Sequence, residues 1–210
     1  MKESTIIRRM MKSDIEEISQ AFIHQGWPGR EDILTSYLQD QENGERDVLV
    51  AESDGFVAGY ITILPYAKHG PFVGVYPELS DFNVFEPFRN RGIGNQLLEE
   101  AEKRVGLLSE IVTLGVGLHS GYGPAQRLYV KRGYIPDGSG IWFRDQPLAP
   151  YSSCENDDDL VLYFSGNIVN QKTDEIFIRL FLASLRCCIG ALDIVFFLQV
   201  VAEKKCSTTE

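Results

Sequence analysis

At 210 residues, with 44% hydrophobic and 24% charged side chains, the chain can bury a full core and should form one domain with room for an appendage. A formal net charge of −10 and a pI near 4.8 exclude a surface built to hold nucleic acid phosphates; a cationic amine partner is compatible, and solubility alone also explains the acidity. The four cysteines, among them the adjacent Cys187 and Cys188, show no CxxC or Cys/His spacing, so no metal site or disulfide framework is expected, and a reduced protein of the cytoplasm fits.

In chain order, Thr5 to Met10 alternates as a short strand. Ser13 and Glu16 have the spacing of a capping box ahead of Ile15, Ile18, Ala21 and Phe22, which predicts a first helix. Gln25 to Gly29 breaks the chain, and Arg30 to Gln41 reads as a second helix through Ile33, Leu34, Tyr37 and Leu38. Two β-branched runs, Asp47 to Glu52 and Phe56 to Leu64, are joined through Asp54-Gly55, a hairpin signal because both turn positions tolerate positive φ. Tyr66 to Tyr76 is a Gly/Pro-rich loop, and Glu78 to Val84 is the next strand.

The segment Val84 to Gln96, VFEPFRNRGIGNQ, carries the chain from that strand through a glycine loop into a third helix expected over Gly92 to Val105. Such a junction is an anion site, because the first helical amides lack intrahelical partners and the helix dipole adds positive potential there. Gly92 and Gly94 lack a Cβ, so a phosphate can approach the main chain, and Arg89 and Arg91 add charge-assisted donors. Ile111 to Leu118 reads as a buried strand. After a loop at His119 to Gly123, Pro124 opens a fourth helix with Ala125, Leu128 and Tyr129 on one face, broken at Gly133. Ile141 to Arg144 and Leu160 to Phe164 are the last strands, separated by an acidic loop around Asp157. The order is β-α-α-β-β-β-α-β-α-β-β, an α/β (α+β) protein with a mixed sheet and helices on both faces.

The spacing Arg-x-x-Gly-x-Gly at Arg89 to Gly94, entered from a strand and leaving into a helix, resembles the coenzyme A pyrophosphate loop of the GNAT family (GCN5-related N-acetyltransferases). Pro124 to Tyr134, PAQRLYVKRGY, resembles that family's A-x-x-L-Y-x-x-x-G-[FY] segment on the helix after strand five, and the element order is similar too. The resemblance covers about residues 4 to 165. It implies a GNAT domain over 1–165, a sheet splayed between strands four and five, and transfer of an acetyl group from acetyl-CoA to a primary amine of a small molecule, peptide or protein by direct attack in a ternary complex. No nucleic acid partner is expected, and a homodimer is compatible.

The same resemblance suggests roles residue by residue. Arg89, Asn90, Arg91, Gly92, Ile93, Gly94 and Asn95 would hold the pyrophosphate. Main-chain groups of Asn83, Val84 and Phe85, freed by a bulge, would meet the acetyl carbonyl and the pantetheine arm. Tyr129 matches the phenol that protonates the departing sulfur; a half-buried helix tyrosine is the structural alternative. Glu78 stands where several members carry the glutamate that draws the amine's proton through water, with Asp81 in reserve; strand alternation groups Glu78 with Ser80, Phe82 and Val84. Two departures stand out: Glu86 replaces the usual proline ahead of the loop, and Tyr122 stands where many members have asparagine. Trp27, Tyr37, Tyr66 and Trp142 are candidates for an acceptor pocket, while His24, His69 and His119 read as exposed or locally bonded. Gly115-x-Gly117 lies within a strand and lacks the later glycine of a dinucleotide fingerprint. A non-catalytic acyl-CoA-binding or interaction module is the rival function.

Residues 166–210 form an extension of different character. Ile176 to Ala202 is nearly all apolar, and Arg179, Arg186 and Asp193 recur every seven residues as one narrow polar stripe on a helix. Each central charge costs about 2.5–3.5 kcal/mol in a bilayer and each large apolar residue returns about 0.3–0.6 kcal/mol, which leaves insertion near balance. An amphipathic helix packed on the domain or a partner, a non-native extension and a membrane anchor are the three readings.

Overall fold

Residues 5–168 are described by the computed structural model; of the extension, only its first three residues fall within them, and the three readings of the apolar segment concern residues outside. The elements run β1 (Thr5–Arg9), α1 (Asp14–His24), α2 (Glu31–Asn43), β2 (Asp47–Ser53), β3 (Phe56–Leu64), β4 (Glu78–Val84), α3 (Ile93–Val105), β5 (Ile111–Gly117), α4 (Gly123–Lys131), β6 (Ile135–Phe143), β7 (Gln146–Pro147) and β8 (Leu160–Asn167). The strands form one mixed sheet ordered β1-β2-β3-β4-β5-β8-β6-β7, in which β4 and β5 are the parallel pair. This is the expected order with one addition, the two-residue β7 that closes a hairpin on β6.

Local chemistry accounts for most boundaries. Asp54 and Gly55 take φ of +54° and +82°, the paired positive angles of a tight hairpin that sets Ser53 opposite Phe56. Gly44 ends α2 in the left-handed region. The capping box expected at Ser13 does not form: Ser13 is itself helical in its angles and makes no side-chain cap. Asp14 does that work instead, accepting from the Met11 amide at 2.7 Å and from both terminal nitrogens of Arg8 at 2.7 and 2.9 Å. The Arg8 pairing competes for the entry to α1, and a neighbouring carboxylate outweighs a hydroxyl there.

Two apolar layers cover the sheet. On one face Leu49, Ala51, Ile61, Ile63 and Leu79 pack under Ile93, Leu97, Leu98, Ala101 and Val105 of α3, with Tyr129 of α4. On the other, Val48, Val50 and Tyr60 pack against Ile18 and Phe22 of α1 and Leu34 of α2. Each fully buried large aliphatic side chain is worth about 1.5–3 kcal/mol, so α3, with four of them, is held mainly by its inner stripe. The end of α4 is tied to α3 by a buried polar group: Glu102 accepts from Arg132 Nε at 2.9 Å, from Arg132 Nη2, and from the Tyr134 hydroxyl at 3.0 Å. That network fixes the helix that carries Tyr129.

Candidate active site

The parallel strands β4 and β5 pair only at their beginnings, Glu78 with Thr113 and Leu79 with Leu114. Beyond those two rungs they part, and the sheet is split. On its other side β4 pairs with β3, but the register slips by one residue: Tyr60 faces Asn83 while Thr62 faces Ser80. The extra residue is a bulge at Asp81 and Phe82, with Asp81 at φ +45°. Gly59 is glycine for a related reason, since a Cβ there would stand 2.4 Å from the Asn83 carbonyl oxygen; the two backbones touch where the bulge begins.

The bulge overturns one expectation from strand alternation. Glu78 does not share a face with Phe82 and Val84. Leu79, Phe82 and Val84 all belong to the α3 layer, whereas Asp81 meets Arg30 and Asn83 meets Tyr60 on the α1–α2 side. One inserted residue reverses the alternation for everything after it, and Glu78 therefore joins Asp81 and Asn83.

On that side Asp81 is clamped. Arg30 donates to its two oxygens at 2.9 and 2.8 Å and to the Tyr60 hydroxyl at 2.6 Å, and Asn83 Nδ2 adds a bond at 3.0 Å. Both oxygens of Asp81, the side chain expected as the reserve base, are thus taken up by the guanidinium of Arg30. Glu78 is 8% exposed, and burial raises its carboxyl above the usual range, partly opposed by the Lys68 amide and by His69 and Arg46. A loop-to-hairpin clasp lies beside it: Asp145 accepts from Gly70 N at 2.7 Å and sits 3.2 Å from His69 Nδ1, and Gly70 packs on the Tyr163 ring. Trp142 meets Tyr163 edge to face, and Tyr37 lies under Arg46. Trp27 and Tyr66 are mostly exposed.

Across the split, Tyr129 is 6% exposed, packed between Phe82 and Tyr134. Burial, with a smaller contribution from Tyr122, holds its phenol well above the ordinary tyrosine value, so it stays protonated through the neutral range. Glu78 and Tyr129 thus sit on opposite faces of the sheet, Glu78 at the paired start of β4 and Tyr129 on α4 in the α3 layer.

The loop that follows β4 is open toward its ligand side. Asn90 and Gly92 take φ of +62° and +82°, and nothing lies within 4 Å of a Cβ built on Gly92. The first bond of α3 that reaches back to Gly92 comes from Gln96 N at 3.2 Å; the amides of Ile93, Gly94 and Asn95 precede it, and no side chain caps them. Gly94 also has a packing reason: its Cβ would stand 3.2 Å from Phe82 Cζ and 3.6 Å from Leu128 and Val84, so its smallness lets α3 lie close on β4 and α4. Arg89 folds back, its Nε donating to the Val84 carbonyl at 3.0 Å, and Arg91 stands over the Phe88 ring.

Of the three strand-end residues, Phe85 is committed, its amide donating to Ala58 at 2.9 Å. Alternation then turns Asn83 toward β3 as well and Val84 toward the split. Val84 is the residue whose main-chain amide faces the gap. Arg30, Tyr60 and Asp158 carry no local signal, because their partners lie 30 to 51 residues away and only the folded sheet brings them together.

An unpaired helix start, an open glycine loop and a split parallel pair come together at the end of β4. Residues 44–136 match the family model described as an acetyltransferase (GNAT) domain. No curated protein matches it. Among solved structures, it is similar to an N-acetyltransferase from Staphylococcus aureus Mu50 at 16% identity and TM-score 0.60, covering 79% of this chain and 99% of that one. A ribosomal-protein-alanine N-acetyltransferase from Brucella melitensis is 20% identical, with TM-score 0.58 and coverage of 77% and 99%. A Salmonella typhimurium structure containing its cofactor acetyl-CoA is 19% identical, with TM-score 0.57 and coverage of 78% and 94%. At these identities the likeness is one of fold. Among the described residues no cluster could hold a metal ion, and no helix is long and apolar enough to cross a membrane.

Proposed function

We propose that the chain is an acetyl-CoA-dependent N-acetyltransferase acting on a primary amine. The observation that carries this reading is the split between β4 and β5, with a buried acid candidate on one face, a buried base candidate on the other and an anion site at its mouth. The residues fit the donor. Three uncapped amides at the start of α3, with Arg89 and Arg91 beside them, suit a diphosphate. The Val84 amide suits a carbonyl presented along the gap. The acetyl thioester supplies the activated acyl group.

The chain's own residues then have three tasks. Glu78, its affinity for a proton raised by burial, accepts the proton from the incoming ammonium, directly or through water. A carboxyl tuned upward toward neutrality suits this better than an ordinary one. Tyr129 keeps its proton until sulfur departs as thiolate and then supplies it. The bulge, locked by Asp81 and Arg30, holds the Val84 amide in place. Among the described residues the one cysteine is Cys154, exposed in the loop between β7 and β8, and the reading is direct attack without an acyl-enzyme. The location in the cytoplasm drawn from the sequence accords with this reading.

Two-substrate kinetics test it. With an amine that is turned over, reciprocal plots at several acetyl-CoA concentrations should intersect. Parallel lines would signal an acyl-enzyme and remove the ternary complex. Donor binding without turnover across a broad amine library, together with unchanged donor binding in Glu78→Gln and Tyr129→Phe, would favour the non-catalytic acyl-CoA-binding module.

A further inference from the structure

The base candidate is buried, so an incoming amine needs a way to reach it. Glu78 is the first residue of β4, flanked by Leu64 of β3 and Thr113 of β5. The groups that act on its carboxyl are Lys68 and His69 of the loop after β3, Arg46, and Asp145 of the turn between β6 and β7, with the Tyr163 phenol also in range. Arg46 is itself buried and already paired, donating to Thr62 Oγ1 at 2.8 Å and to Asp40 at 3.3 Å. Lys68 and His69 are exposed, so the tip of their loop is the layer between Glu78 and solvent.

Residues 65–77 form a lobe closed on itself. The Ala67 amide donates to the Tyr76 carbonyl at 2.8 Å, its own carbonyl accepts from Gly74 at 2.9 Å, and the Phe72 and Tyr76 rings meet edge to face. The end of the lobe is fixed to the sheet, since the Pro77 carbonyl accepts from both the amide and the hydroxyl of Thr113 at 2.9 Å. Its tip is fixed by a residue from another element. Asp145 accepts from the Gly70 amide at 2.7 Å through one oxygen and faces His69 Nδ1 at 3.2 Å through the other. The Gly70 amide and then His69 hold this carboxyl below the ordinary aspartate range, so it is an acceptor only and Nδ1 carries the proton. Gly70 takes φ of +72°, and a Cβ on it would run into the Tyr163 ring; the tip is seated on β8 as well.

The turn that presents Asp145 is built against ordinary preference. Arg144 and Asp145 both take positive φ, +49° and +60°, between the paired Phe143 and Gln146. A two-residue hairpin of this kind favours asparagine and glycine. Arginine fits it poorly, and Arg144 is held there by Glu155 at 3.0 Å and Asp159 at 3.7 Å. Strain kept where an easier residue exists points to a task for the side chain. We propose that Asp145 is a positioning residue for the base: it latches the tip of the 65–77 loop across Glu78, keeping the carboxylate out of water when closed and admitting the amine when open. This rests on the role given to Glu78 above. Two hydrogen bonds at the surface are weak enough to open within a catalytic cycle.

The test compares wild type with Asp145→Gly and Asp145→Asn in the full chain. Glycine suits the positive φ and deletes the carboxylate, so the turn should survive; asparagine keeps an oxygen for the Gly70 amide but carries no charge. Hydrogen exchange over residues 65–77 reads the latch, and the carboxyl carbon resonance of Glu78, assigned with Glu78→Gln, reads its proton affinity. Asp145→Gly should speed exchange in the loop about ten-fold with β4 and β5 unchanged, and should bring the Glu78 midpoint down toward the ordinary carboxylate range. Burial is the largest influence on that group, so hydration outweighs the lost Lys68 bond. Asp145→Asn should exchange nearly as wild type does, with a Glu78 midpoint above that of the glycine variant, which separates the latch from the lost charge. With an amine that is turned over, kcat should fall about ten-fold in Asp145→Gly while KM for acetyl-CoA holds. Unchanged loop exchange in Asp145→Gly would overturn the proposal. So would faster exchange with the two variants' Glu78 midpoints alike, or with kcat as in wild type, since the loop would then have no effect on the base. Exchange and titration are read without ligand, so a chain that binds no acetyl-CoA would sink the donor reading and leave the latch to be decided by those two readouts.

Discussion

Replacing Asp81 by alanine isolates the feature on which the site's geometry depends. The substitution removes both acceptors from the Arg30 guanidinium, at 2.8 and 2.9 Å, and one from Asn83 at 3.0 Å. Arg30 is left with the Tyr60 hydroxyl and the face of Phe22. Stripping one partner from a fully buried ion pair costs about 3–5 kcal/mol. Here the two side chains keep 21% and 14% of their exposure, so water can partly compensate and about 2–4 kcal/mol is the better figure. Alanine at φ +45° adds roughly 1 kcal/mol, since it tolerates the left-handed region less well than aspartate does. The total is about 3–5 kcal/mol, to be read from urea denaturation at constant slope.

A double-mutant cycle with Arg30→Met sharpens the test. Removing both charges leaves no orphan, so the double variant should be more stable than the sum of the singles implies, by about 1–3 kcal/mol. In the same samples acetyl-CoA binding should weaken by several-fold, because the bulge that aims the Val84 amide is released. A loss below about 1 kcal/mol together with simple additivity would refute the claim that this pair holds the bulge.

Glu78→Gln should lower kcat by about 10²–10⁴ while leaving acetyl-CoA binding within a few-fold, and wild-type activity should rise with pH through a value above the ordinary carboxylate range. The sign for stability is opposite: because burial raises this carboxyl, its contribution is full below the unfolded pKa and is lost as pH rises through the folded one. The glutamine variant should therefore melt higher than wild type at neutral pH and lose that advantage in acid, which a pH series of thermal melts would read. Tyr129→Phe should reduce kcat by about 10²-fold or more and leave calorimetric donor binding near wild type; full turnover would show that another group protonates the thiolate. Gly59→Ala, whose Cβ would stand 2.4 Å from the Asn83 oxygen, should destabilise by about 1–3 kcal/mol and weaken the donor with it, whereas an unperturbed midpoint would mean the two strands can separate without cost.

Much of this was legible from residue order because the signals were local. Asp54-Gly55 dictated its hairpin, the apolar stripe of α3 chose its buried face, and Arg89 to Gly94 lies at a strand-to-helix junction whose unpaired amides follow from covalent structure. Ser13 misled because the spacing of a capping box is present but Arg8, at the end of the preceding strand, recruits the neighbouring aspartate. Strand alternation failed in β4 at Asp81, where a single extra residue turned the following side chains over. No period in the sequence announces such an insertion, which depends on Gly59 in the facing strand. Gly94 was legible as a small residue but not in its purpose, since only the packed structure brings Phe82 against it. The His69 and Asp145 pair was invisible for the same reason: a histidine and an aspartate 76 residues apart become neighbours only when the turn between β6 and β7 reaches the loop after β3.

The most direct test of the central claim is calorimetric titration of the purified chain with acetyl-CoA, with NADH as a dinucleotide control and Tyr129→Phe and Asp81→Ala alongside. Wild type should bind acetyl-CoA and not NADH, Tyr129→Phe should bind nearly as well, and Asp81→Ala should bind several-fold more weakly. A folded wild-type chain that binds no acetyl-CoA, or binds both ligands alike, would contradict the account and leave the fold without its function.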